Sequence, residues 1–81
     1  MARVVLGRAL RHFTSGEETL EIEARDVRGV VRALEARFPG IAREIESGMA
    51  VAIDGEIVAD AWLEPVAPEA EVHFVPAISG G

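Results

Sequence analysis

One stripe of apolar residues at helical spacing constrains this chain more than any other feature. Val27, Val30, Val31, Leu34 and Phe38 share a face, with Arg28, Arg32, Glu35 and Arg37 opposite, the pattern of a helix lying on a core. Asp26 is a good N-cap for it and Pro39-Gly40 stops it, which predicts a helix over about residues 26–38. Gly29 inside that span costs about 1 kcal/mol relative to alanine and is read as a mark of close packing on a sheet. Ile41 to Ser47 add a short second turn, with Ile41 and Ile45 facing inward.

The rest of the patterned sequence has period two, the repeat of a strand with one buried face. Residues 3–10 read as a first strand with Val4 and Leu6 inward, and residues 11–16 as a hairpin loop with Thr14, Ser15 and Gly16 at its tip. Thr19 to Ala24 then alternates, with Leu20 and Ile22 inward. Met49 to Ile53 forms a third strand, and Asp54-Gly55 is a strong hairpin turn leading into Glu56-Ile57-Val58. Residues 59–70 are irregular, and there Trp62 and Leu63 are expected to plug the edge of the sheet. A last strand, residues 71–75, buries Val72 and Phe74. Its other face carries His73 and Val75, beside Ala50 and Ala52 if the third and last strands are neighbours. The core is expected to hold Val4, Leu6, Leu20, Ile22, Val30, Val31, Leu34, Phe38, Val51, Ile53, Val72 and Phe74.

The order is hairpin, helix, hairpin, strand. A right-handed crossover through the helix lays the last strand parallel to the first, in mid-sheet. The expected fold is α+β, a β-grasp roll with one main helix across a mixed sheet of four to five strands. The chain of 81 residues makes one domain, with residues 76–81 as a flexible tail.

Composition narrows the chemistry. There is no cysteine, which removes disulfides, cysteine-held metals and a cysteine nucleophile. Net charge is −6; that argues against nucleic acid, which requires clustered basic residues, and suits a partner with a basic face. All eight basic residues are arginine. Glu17, Glu18, Glu21 and Glu23 are read as a solvated strand face, and no metal is expected. No apolar run approaches the length of a membrane span, and the N-terminus lacks signal-peptide order, so the cytosol is the expected compartment.

The sequence closes on Pro76-Ala77-Ile78-Ser79-Gly80-Gly81. Glycine is costly to order and is normally kept for turns, yet no turn follows this pair. One reading is a thin tail carrying an unhindered carboxylate: Gly81 has no Cβ to block attack at its carbonyl carbon, and Gly80 lets the backbone thread a narrow channel. A frayed end is the other reading, and composition leaves both open. His12 and His73 have no nucleophile partner in the sequence.

These residues resemble the small sulfur-carrier proteins of the ubiquitin-like β-grasp superfamily. The resemblance spans the chain and rests on four segments: the opening strand with Leu10-Arg11, the helix end at Phe38-Pro39, the run Val51 to Glu56, and the run Val72 to Gly81. Asp54 stands where asparagine is common, and residues 67–71 replace the usual glycine-acidic turn. The resemblance implies a carrier or substrate protein, not an enzyme, with no bound cofactor. A ubiquitin-activating-like adenylating enzyme would activate the Gly81 carboxylate with ATP and magnesium. A persulfide sulfur would then leave a thiocarboxylate for a sulfur-accepting synthase, with the large molybdopterin synthase subunit favoured. Cysteine or thiamine biosynthesis, a ubiquitin-like modifier joined through Gly81, and a structural β-grasp module are the alternatives. Partner contact is expected at Ala50, Ala52, His73, Val75, Pro76, Ile78 and Ser79, with Gly80 and Gly81 at the reacting end.

Overall fold

The computed structural model describes residues 1–76. Its strands are β1 (Ala2–Val5), β2 (Thr19–Ile22), β3 (Met49–Ile53), β4 (Glu56–Val58) and β5 (Glu71–Pro76), and its helices are α1 (Arg11–Thr14), α2 (Val27–Arg37) and α3 (Ile41–Glu46). The strands form one sheet in the order β2-β1-β5-β3-β4. β1 and β5 run parallel at its centre, with Val4 opposite Val72. The other three pairings are antiparallel. This is the expected β-grasp.

α2 covers one face of the sheet because its apolar stripe has nowhere else to hide. Val27, Val30, Val31 and Leu34 are buried against Val4, Leu20, Ile22, Val51, Val72 and Phe74 in one cluster. Phe38 and Ile53, both expected in the core, are only partly buried at its margin. Val66 and Ala70, in the irregular stretch before β5, are buried instead.

Asp26 caps α2 as expected, its Oδ1 accepting from the Gly29 N–H at 2.8 Å. The same contact explains Gly29, and it corrects the expectation of packing on the sheet. A Cβ at residue 29 would lie 3.2 Å from Ala24 Cβ and 3.2 Å from that Oδ1, so the glycine serves the capping turn. At the other end of α2, the Glu35 carboxylate accepts from the Gly40 N–H at 2.9 Å and the Ala42 N–H at 3.0 Å. One side chain thus holds the bend and satisfies amides opening α3.

Those two amides hold the Glu35 carboxyl below its ordinary value of 4.5. A depressed folded-state pKa contributes stability that is present above the unfolded value and lost as pH falls through the folded one. Glu35→Gln is therefore expected to lower the melting temperature at neutral pH and to flatten its decline below pH 4.5. Thermal melts from pH 7 to pH 3 check this; parallel curves for the two proteins would refute it.

The opening segment departs from expectation. β1 ends at Val5, and a 3₁₀ turn at Arg8–Leu10 runs into α1. Gly7, at φ 69°, breaks the strand. The expected hairpin loop is this short helix, because Leu10 is fully buried and draws the chain inward. Thr14 ends it, its hydroxyl donating to the Glu17 carbonyl at 2.8 Å while the residue itself is buried. Trp62 and Leu63 also depart: they lie on a 3₁₀ turn at Ala61–Leu63, 39% and 70% exposed, and Ala61 is the residue that turns inward.

Candidate functional site

Among the described residues, the sequence-predicted site converges on β3 and β5. Strand alternation turns Val51, Val72 and Phe74 toward α2, and therefore turns Ala50, Ala52, His73 and Val75 to the other face. Register completes the patch: Ala50 lies opposite Val75, and Ala52 opposite His73. Ala52 is nearly covered at 9% exposure, whereas Ala50, His73 and Val75 are half-buried. Pro76 is the last residue of β5, opposite Met49, one residue beyond the expected end of the strand. A missing N–H is best tolerated at a strand end. Ile78, Ser79, Gly80 and Gly81 lie outside the described residues.

Two apolar members of this face were not singled out from the sequence. Ile57 of β4 pairs with Ala52 and is 66% exposed. Val5 of β1 pairs with His73. The available signal was the period-two rule applied across the pairing. Once Ala52 faces outward, so does its partner across the Asp54-Gly55 turn. A row therefore runs Thr19, Val5, His73, Ala52, Ile57 over five strands. Beside it, Arg3 lies between Glu21 and Glu71. The face is thus apolar toward Pro76 and charged toward the start of β5.

His73 Nε2 meets Glu71 Oε1 at 2.7 Å, an i,i+2 pair on one strand face. Both are partly exposed, so the contact orients the ring more than it stabilises the fold. Asp54 is a turn residue, at φ 49° ahead of Gly55 at φ 86°, the backbone of a tight hairpin turn. It also ties that hairpin to β5: its Oδ1 accepts from the Glu71 N–H and its own N–H donates to the Glu71 carbonyl, each at 2.9 Å. Among the described residues, no group of three or more His, Asp or Glu side chains is arranged to hold a metal ion. No helix among them is long and apolar enough to cross a membrane.

The profile of the ThiS family matches residues 4–81, nearly the whole chain and through its last glycine. The chain belongs to the ThiS family of small sulfur-carrier β-grasp proteins. No individual curated protein sequence matches it. Solved structures resemble it in fold. A chain of the BexX/CysO complex of Amycolatopsis orientalis superposes with a TM-score of 0.87 at 22% identity, covering 100% of both chains. The small archaeal modifier protein 1 of Methanosarcina acetivorans gives 0.80 at 20% identity, covering 99% of this chain and 95% of its own. A chain from the complex of subunits 1 and 2 of molybdopterin-converting factor of Helicobacter pylori gives 0.67 at 20% identity, covering 99% and 97%. These structures share the fold of this chain.

Proposed function

We propose that this protein is a sulfur carrier whose Gly81 carboxylate is converted to a thiocarboxylate, and that it is the substrate of the conversion, not its catalyst. The observation that carries the reading is the family match running unbroken to Gly81. The proposed steps are those of acyl activation. A ubiquitin-activating-like enzyme transfers AMP from magnesium-bound ATP to the carboxylate and releases pyrophosphate. A persulfide sulfur on a donor protein attacks the acyl carbon and expels AMP. A second thiol cleaves the acyl disulfide, which leaves sulfur on Gly81. This chain has no cysteine, so both thiols belong to partners. Its own contributions are the terminal acyl group and a surface to dock on.

We assign docking to the face of Ala50, Ala52, His73 and Val75, extended by Val5 and Ile57. Pro76 then delivers Ile78, Ser79, Gly80 and Gly81 to the partner. Ile57 is exposed and Val5, Ala50 and Val75 are half-buried, and apolar residues left open to solvent on one sheet face are the usual mark of an interaction surface. Val75→Asp is expected to weaken binding to the activating enzyme by about tenfold or more, because the contact would bury an unpaired charge. Circular dichroism should show the fold intact. Unchanged affinity would remove this face from the docking role.

The acceptor we favour is the large subunit of a molybdopterin synthase, on the Phe74-Val75-Pro76 approach to the tail. The complexes named for BexX/CysO and for the two molybdopterin-converting subunits support a protein acceptor in general. Incubation with an activating enzyme, ATP, magnesium and a sulfur donor is expected to raise the intact mass by the difference between sulfur and oxygen. Offering the loaded carrier separately to molybdopterin synthase large subunit, cysteine synthase and thiazole synthase then identifies the acceptor by loss of that increment. An isopeptide adduct on lysines of other proteins, without the increment, would replace the carrier reading with that of a modifier.

A further inference from the structure

A second concave surface lies on the helix side of the sheet and shares Ala50 with the face assigned to docking. It is a groove of about 340 Å³ between α2, α3, β3, β4 and the turn at Ala61–Leu63. Its floor is made by buried apolar side chains, Val31, Ile45 and Val51. Its rim is different in kind. Glu46, the last residue of α3, and Asp60, just before the turn, are exposed carboxylate residues that line it. Trp62 forms a further wall, 39% exposed.

Neither rim carboxylate is among the hydrogen-bonded or ion-paired side chains of the described residues. None of the arginines lines the groove. Glu46 stands at the C-terminal end of its helix, where the backbone carbonyls already concentrate negative potential and a carboxylate is disfavoured. An apolar floor, an indole wall and two unpaired anions thus converge on one volume, and their common complement is an amphipathic cation. Arginine fits better than lysine. Its methylene stem packs on apolar surface while the head stays polar, and its planar guanidinium stacks on an indole and meets carboxylates with several donors at once.

We propose that this groove binds an arginine side chain presented by an exposed basic segment of a partner protein. The inference does not depend on the chemistry assigned to Gly81, and the groove meets the docking face at Ala50 alone, leaving Ala52, His73, Val75 and Ile57 outside it. A second copy of this chain is disfavoured as the partner by the net charge of −6, which makes two copies repel.

Trp62 is the chain's single tryptophan, so its fluorescence and its indole N–H resonance report on this groove alone. The probes are the blocked tetrapeptide acetyl-Gly-Arg-Leu-Gly-amide and its citrulline counterpart, which is close in shape but uncharged. Titration of the full chain with the arginine peptide is expected to shift the Trp62 signal saturably. The citrulline peptide and the Glu46→Gln/Asp60→Asn double variant should each weaken binding by about tenfold or more. The double variant keeps the size of both side chains, and an unchanged melting curve confirms its fold. No shift of the Trp62 signal at millimolar peptide would overturn the proposal. So would equal binding of the two peptides, or undiminished binding by the double variant. A Trp62 signal that responds instead to protein concentration, with sedimentation showing a dimer, would assign the groove to a second copy and refute the proposal as well.

Discussion

Deleting Gly81 is expected to abolish sulfur loading completely, with no measurable change in folding. The two effects separate because residues 77–81 follow the last core strand, while the buried cluster is built from residues 2–74. Loading requires a terminal carboxylate oxygen at the α-phosphorus of ATP, and removing one residue withdraws it by roughly 3.3–3.6 Å, the length of one extended residue. Misplacement of about 1 Å already costs on the order of 10²-fold where geometry is demanding. Gly80→Val keeps the length but adds a β-branched side chain, with its width and restricted torsions, beside the reacting residue. It is expected to slow loading sharply without eliminating it. Intact mass measured over time, with the sulfur located on the C-terminal peptide, gives both rates. Normal loading of the Gly81 deletion would refute the assignment of the acyl group to that residue.

Leu34→Ala is expected to cost about 2–5 kcal/mol of folding free energy, from lost burial and the cavity left behind. Leu34 has no solvent exposure, and its stripe is what joins α2 to the sheet. Small domains are stable by only about 5–15 kcal/mol in total. In a domain of this size each 1 kcal/mol moves the melting temperature by roughly 4–8 °C, so a fall of at least about 8 °C is expected. Urea titration with the native slope retained would confirm a loss of stability without a change of fold. A loss below 1 kcal/mol would mean that the helix face repacks around the cavity.

The fold was legible because its two periods are unmixed. The α2 stripe admits no strand, and Thr19 to Ile22 admits no helix, so element type and inward face followed from residue spacing. What stayed hidden depended on contacts between segments remote in sequence. Leu10 reads as the end of a strand until its burial pulls residues 8–14 into two helical turns. Trp62 reads as a plug for the sheet edge, but Ala61 beside it takes the inward position and leaves the indole 39% exposed. Of the candidate site, Ala50, Ala52, His73 and Val75 were found by alternation. Ile57 and Val5 required the cross-strand register, which no single strand encodes. Glu35 was placed only on the polar face of its helix, because the amides it holds belong to the following bend.

The placement of β5 also has a mechanical meaning. This strand is held on both sides, by β1 in parallel and by β3 in antiparallel register, and the segment proposed to carry the sulfur follows it in sequence. Because β1 and β5 run the same way, the N-terminus and the exit at Pro76 lie toward opposite ends of the central pair. A pull on the tail against the N-terminus therefore loads several ladder hydrogen bonds together, in shear, instead of peeling them one by one. A carrier drawn from its partner by the tail would resist extraction as a rigid body and come away folded.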